Sequence, residues 1–487
     1  MHIVKDITLY IKSVILLVLF SINFLNLYAQ SEKIHFSQLT TKNGFSSNDI
    51  NDILHDSRGF MWFATDMGLH RWDGYKMKVF FHQPNDSSSL SASSISSIYE
   101  DKDSVLWIGT YKSGLNRYNR KLQNFTRYDI GNINPGSNVQ NIIWGMCEDH
   151  SKNFWLATEY GLLKFNSTTG EFKRFVTDST SFSTVISEQA MNYFRVIYKQ
   201  DDKTLLLGTR NGLVQFDMLK EIFIRIPLSA YSGNVYDISG ISDDGSGIFW
   251  IATYKNGLYR YDPSTNRIKK ITPAVLNREN DLFDGLISIC AKSPDEIWVG
   301  TVNGLFKFNQ QNNIAIAFLP NSRDLTSISS SIIQSIYIDN NKNLWFGTQD
   351  YGVNFLPNKQ KPYRLYKWDS ENSNSLGRGI VNSICEDIAG NIWVGSWGSG
   401  VSCFSQKNKK YIRFTPDSPE PNRINSNYVN VIHCDNDDNI WIGTTGHSPN
   451  PMRWKRNAAS PTWASPARCN DSSSRTRGAA LPRYFLR

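Results

Sequence analysis

The side chains best suited to chemistry in this 487-residue chain recur in one place, just after a Thr that returns about every 48 residues. Tyr111, Lys112, Tyr160, Arg210, Tyr254, Lys255 and Tyr351 each stand between such a Thr and the next Gly, and Trp397 follows Ser396 at the same point. Aromatic faces pack on the apolar C–H patches of a sugar ring, while Lys and Arg bond hydroxyls or carboxylates. These eight residues are therefore the candidate ligand-binding set, and the expected ligand is an oligosaccharide. Two plainer readings compete: ordinary turns with exposed polar tips, or a flat face that docks another protein.

Catalysis has less support. A glycosidase needs two carboxylates at a set separation, and nothing singles out a pair here. A metal-assisted lyase needs converging His and acids, but the eight His residues are scattered. The chain is expected to be no enzyme, with no metal and no cofactor.

The elements that position these loops come from one repeated phrase. It reads Met61-Trp62-Phe63-Ala64-Thr65, Leu106-Trp107-Ile108-Gly109-Thr110, Phe154-Trp155-Leu156-Ala157-Thr158 and Phe249-Trp250-Ile251-Ala252-Thr253. It continues around Trp298, Trp345, Trp393 and Trp441, and a further copy keeps Gly208-Thr209 with Leu206 in place of Trp. Six residues before the Trp lies an Asp in most copies, such as Asp56, Asp101 and Asp387, suited to capping a tight turn. The Gly after the Thr suits a turn needing positive φ. Apolar alternation before the Asp and two short runs after the Gly complete four strands per copy. A period of this length without helix predicts an all-β fold built from propeller blades, each Trp packing one sheet on the next. Seven copies and a lone strand near Lys33–Leu39, which can zip the ring shut, place one seven-bladed β-propeller at about 31–359. Residues 360–446 begin a second, incomplete propeller with its first two blades, Pro362-Tyr363-Arg364-Leu365-Tyr366 repeating the lone-strand role.

The ends differ from the middle. Residues 1–30, with Lys5 and Lys12 before the apolar stretch Val14–Leu27 and a small residue at Ala29, read as a secretory signal peptide, with an uncleaved anchor as the alternative. No later stretch is apolar enough to span a membrane. Residues 447–487 are Pro-, Ser- and Arg-rich and read as a basic disordered tail, in composition closer to an out-of-frame stretch than to a domain. That tail holds Arg453, Lys455, Arg456, Arg468, Arg475, Arg477, Arg483 and Arg487 against Asp471, so it carries nearly all of the net charge of +8. The repeat region is close to neutral, which argues against nucleic acid as a partner. Of the cysteines, Cys147, Cys290, Cys385 and Cys434 fall on inner strands of different blades. Equivalent positions on adjacent blades are expected to lie too far apart for a disulfide, so buried free thiols are predicted there.

The segment Ser383-Ile384-Cys385-Glu386-Asp387-Ile388-Ala389-Gly390-Asn391-Ile392-Trp393-Val394-Gly395 carries a resemblance. Residues 31–446 resemble two-component regulator propeller repeats, and more closely the extracytoplasmic sensor region of Bacteroidetes hybrid two-component systems. The resemblance implies a periplasmic sensor: a signal peptide, two seven-bladed propellers, a β-sandwich, one membrane helix, then histidine kinase, receiver and helix-turn-helix modules. It implies glycan sensing that switches on polysaccharide-utilisation genes. A homodimer through C-terminal modules that this sequence lacks is a further expectation. No kinase, receiver or DNA-binding motif is found here, so neither catalysis nor DNA binding transfers to any residue.

Overall fold

A computed structural model describes residues 34–130, 142–177, 192–228, 236–276, 284–324, 326–359, 366–370, 372–419, 423–435, 437, 439–445 and 450–453. The segments read as a signal peptide and, beyond residue 453, as a tail lie outside the described residues, as does Pro362–Leu365. The chain divides into two compact units, Met1–Lys361 and Pro362–Arg487.

Among the described residues, the first unit holds seven antiparallel sheets in sequence order. The first sheet shows the pattern: Ile50–His55, Met61–Thr65, Gly68–Trp72 and Met77–Phe80, each strand paired with the next. The inner strands of the others are Ile95–Glu100, Ile143–Glu148, Phe194–Lys199, Ile238–Asp243, Leu286–Ser293 and Ile333–Ile338. The sixth sheet gains a fifth strand, Ala274–Leu276, parallel to Ile314–Phe318. The seventh takes its outer strand from the start of the chain: Ser37–Leu39 pairs antiparallel with Val353–Leu356, Ser37 opposite Phe355. This removes an open edge that would otherwise invite foreign pairing. The arrangement is that of a β-propeller.

The repeated phrase supplies the glue. Trp62, Trp107, Trp155, Trp250 and Trp298 are at most 1% exposed, and Leu206 fills the same place in the fourth sheet. Each Trp meets an aromatic ring of the following sheet where one is present. Trp62 packs edge-on to Tyr118 at 5.1 Å, Trp298 lies 5.4 Å from Phe346, and Trp345 lies 5.8 Å from Trp72. The last contact joins the seventh sheet to the first.

The Asp does more than cap a turn. Asp56 Oδ1 accepts from the backbone N–H of Arg58 and Phe60, while Oδ2 accepts the Trp62 indole N–H at 2.8 Å. The same indole bond joins Trp107 to Asp101, Trp155 to Asp149, Trp250 to Asp244, Trp345 to Asp339 and Trp393 to Asp387. The sixth sheet has Lys292 at that position, and Glu296 accepts the Trp298 indole N–H instead, at 2.8 Å. At the other end of the strand, Thr65 Oγ1 donates to Gly68 O at 2.9 Å and accepts from Met67 N. Gly68 has φ +113°, which a side chain would strain.

The second unit contains two described sheets: Ile380–Glu386, Ile392–Trp397, Gly400–Ser405 and Lys410–Phe414, then Val429–Cys434, Asn439–Thr444 and Asn450–Arg453. They share a core of Trp393, Phe414, Val429, Ile432 and Ile440. Residues 447–487 are expected to form a disordered tail, yet within them Asn450–Arg453 pairs with Asn439–Ile442. It is an edge strand, where the missing N–H of Pro451 is tolerated. Trp441 is 42% exposed because no described sheet covers its far side.

One expectation fails outright. Cys385 and Cys434 form a disulfide with Cα atoms 6.1 Å apart. Inner strands of neighbouring blades approach closely enough that Ser383 Oγ accepts from Ile432 N at 2.9 Å. Side chains a few residues further along those strands are therefore within bridging distance. Cys147 and Cys290 belong to non-adjacent sheets and remain buried free thiols, as does Cys403.

Candidate functional site

Every inner strand of the first unit carries a β-bulge at the same place. Pairing with the Trp strand skips a residue between Ile50 and Asp52, Ile95 and Ser97, Ile143 and Gly145, Phe194 and Val196, Ile238 and Gly240, Leu286 and Ser288, and Ile333 and Ser335. A bulge leaves one residue out of the ladder and re-aims its side chain. The seven extra residues are Asn51, Ser96, Trp144, Arg195, Ser239, Ile287 and Gln334, and all seven line one cavity of about 710 Å³. Its wall is completed by residues that directly follow the repeated Thr: Tyr111, Tyr254, Val302 and Gln349.

Many of these groups bind blade to blade. Asn51 Nδ2 donates to Ile95 O at 2.9 Å and to Asp66 Oδ1 at 2.9 Å. Ser96 and Ser97 both donate to Ile143 O at 2.7 Å, and Ser239 donates to Leu286 O at 2.6 Å. Asp52 accepts from Ile98 N and from Ile53 N, both at 2.8 Å. Burial nonetheless pushes its carboxyl up to about 6.

The third and fourth sheets break this pattern with bulky and charged residues. The Trp144 indole nitrogen is buried and has no hydrogen-bond partner. The Arg195 guanidinium lies 5.8 Å from the Trp144 ring centroid, and Tyr111 meets that ring edge-on at 5.7 Å. Tyr193 lies 6.1 Å from Trp144 and carries the Arg210 guanidinium 3.9 Å above its centroid. Among the described residues, neither Arg195 nor Arg210 has a carboxylate oxygen within 4.0 Å. Burial pushes the Tyr111 phenol up to about 12. It also raises Glu159, against a Tyr193 hydrogen bond and the Arg210 charge, and raises Asp237 against Arg195, Arg210 and Lys255.

The eight residues singled out from sequence are not all assembled. Tyr111 and Tyr254 form cavity wall, and Arg210 stands beside it on Tyr193. Lys255 is exposed, yet close enough for its charge to act on Asp237. Lys112 is exposed on its loop, Tyr160 is half-buried off the wall, and Tyr351 is 55% exposed. Trp397 belongs to the second unit, where its indole N–H donates to Asn430 Oδ1 at 3.2 Å and its ring meets Tyr428 at 5.8 Å. Sequence reasoning missed Trp144, Tyr193 and Arg195. The available signal was alignment on the blade Trp: eleven residues before it, the copies read Asn51, Ser96, Trp144, Arg195, Ser239, Ile287 and Gln334, and two of these are out of character.

Among the described residues no group of three or more His, Cys, Asp or Glu could hold a metal ion. No helix there is long and apolar enough to cross a membrane. Ring fold and lined channel define a propeller with a ligand-sized central cavity.

The repeats themselves are of a known kind. Residues 44–67, 89–112, 327–350, 375–398 and 423–446 match the two component regulator propeller family, and the chain carries its repeats. The fold is similar to the extracellular domain of BT3049 from B. thetaiotaomicron, assigned as a hybrid two component system, with TM-score 0.57 and 24% identity over 86% of this chain and 53% of that one. It is similar also to the extracellular domain of BT4673 of the same organism, with TM-score 0.54 and 21% identity over 86% of this chain and 52% of that one. A 74-residue stretch, 15% of this chain, is 35% identical to histidine kinase P4 of Formosa agariphila and covers 5% of that protein. The chain thus spans about half the length of these solved domains and a small part of the kinase.

Proposed function

We propose that this chain is the ligand-sensing propeller region of a hybrid two-component system, acting in the periplasm and binding an oligosaccharide in the cavity of its first unit. The signal passes to a histidine kinase that these residues do not include. The observation that carries the reading is the one-sided wall of the cavity. Tyr111, Trp144 and Tyr254 bring aromatic rings to the wall and Arg195 brings donors, while Ile287, Val302, Gln334 and Gln349 are neutral. Rings beside directional polar groups suit a sugar. The Cys385–Cys434 disulfide supports an oxidising compartment. The kinship of fold with extracellular domains points the same way. The catalytic readings gain nothing, since the cavity wall holds one carboxylate, Asp52, already engaged by two backbone N–H groups.

The test is calorimetry of the full chain against plant and host oligosaccharides, repeated with Tyr254→Ala and Arg210→Ala. Micromolar binding, about −8 kcal/mol, is expected for one member and at least about tenfold weaker binding for each variant. Unchanged affinity in both variants removes the channel mouth as the site. Binding of a partner protein with no sugar binding replaces this reading by a docking module.

A further inference from the structure

We propose that the part of the ligand seated against Arg195, beside the Trp144 ring, is anionic, a carboxylate or sulfate group of an acidic oligosaccharide. This rests on the oligosaccharide reading above and narrows it.

Donors at the bulge positions are not equally engaged. Asn51, Ser96 and Ser239 have given their hydrogens to carbonyls of the next sheet. Among the described residues Trp144, Arg195 and Gln334 have not, and of these only Arg195 is charged. The indole nitrogen lacks an acceptor but is itself closed off from the cavity, whereas Arg195 lines the wall with no described carboxylate oxygen within 4.0 Å of its guanidinium. Both groups are donors only. A neutral hydroxyl placed at the guanidinium accepts but must still find a partner for its own hydrogen. A carboxylate or sulfate accepts from the guanidinium and cancels its charge, and such bonds are about twice as strong as neutral ones.

The surrounding charges favour the same occupant. Arg210, above the Tyr193 ring, and Lys255 bring two further cations to that side of the cavity, against the carboxyls of Asp237 and Glu159. Asp237 feels all three cations but lies beyond ion-pair distance. Asp52 stands on the first sheet, three sheets from Arg195, with both oxygens held by backbone N–H groups. An acidic ligand is therefore drawn to the third and fourth sheets rather than to the first.

The experiment measures binding of the full chain at low salt to two matched pairs: trigalacturonic acid and its methyl ester, and a sulfated galactose oligomer and its desulfated form. At least one acidic member should bind about tenfold or more tightly than its neutral partner. Arg195→Gln should abolish that difference, and Arg195→Lys should restore part of it, with melting temperatures showing that both variants fold. Neutral partners binding as well as the acids, or Arg195→Gln leaving acid affinity unchanged, overturns the inference while leaving the sugar-binding reading intact. No binding by any of the four defeats both.

Discussion

Trp144 and Arg195 hold the same bulge position on adjacent inner strands, and the guanidinium carbon of the second lies 5.8 Å from the ring centroid of the first. A bulge re-aims a side chain toward the channel without disturbing the packed faces. The third and fourth sheets use it for a ring and a cation, where Asn51, Ser96 and Ser239 serve to tie sheets together.

Because Trp144 is not a blade-packing Trp, its loss should separate binding from folding. Trp144→Ala should weaken oligosaccharide binding by about tenfold or more, as loss of an aromatic ring from the wall implies, with little change in melting temperature. Trp144→Phe, which keeps a smaller ring, should fall between. A large drop in melting temperature for Trp144→Ala would make it a core residue instead.

The blade tryptophans should behave in the opposite way. Trp298, 1% exposed, should cost about 3–5 kcal/mol when changed to Ala. Its anchor should matter less than the anchors elsewhere. Asp339 accepts from the Trp345 indole and from the backbone of Asn341 and Asn343, whereas Glu296 takes the Trp298 indole without capping the turn. Asp339→Ala should therefore destabilise by more than Glu296→Ala in chemical denaturation. Equal losses would mean that the turn bonds add nothing.

His70 makes the first sheet sensitive to acid. It is fully buried, and its Nε2 accepts from Ser46 N at 3.0 Å. Burial pushes the imidazole down to about 4, against backbone partners at Gly68 and Phe63. A depressed folded value means that the stability is complete above the unfolded value of about 6.5 and is lost as pH falls toward 4. Between pH 7 and pH 5 the wild type should lose about 2 kcal/mol relative to His70→Leu. Parallel pH profiles for the two proteins would contradict a neutral buried imidazole.

The disulfide should act on one unit only. Cys385 and Cys434 are 49 residues apart, a loop for which chain entropy gives about 4 kcal/mol. Reduction, or Cys385→Ser with Cys434→Ser, should speed hydrogen exchange in residues 380–444 and leave the strands of the first unit unaffected. Uniform change across both units would contradict this assignment.

The propeller arrangement was legible because its determinants are local and repeated. Trp62 with Asp56, and Thr65 with Gly68, sit at fixed offsets and recur sheet after sheet, so one reading serves all copies. The closing strand Ser37–Leu39 was legible as a lone strand before the first copy. The disulfide was not, because the distance between inner strands depends on how blades converge, which no single repeat contains. The bulges were hidden for a related reason. Alternation marks a strand but not a residue that drops out of its ladder, so Trp144 and Arg195 read as ordinary strand positions. Tyr111 and Tyr254 were visible because they stand between the Thr and the next Gly, and they follow the Thr directly, while Lys112 and Tyr351, chosen from the same loops but further from the Thr, lie away from the cavity wall.

The most direct test of a ligand-sensing channel is a crystal structure of the full chain with the tightest-binding oligosaccharide from the calorimetric panel. The expected result is a sugar ring within the cavity in van der Waals contact with Trp144, and a ligand oxygen within hydrogen-bond distance of Arg195. A sugar bound elsewhere on the chain, with the cavity holding only water, would contradict it.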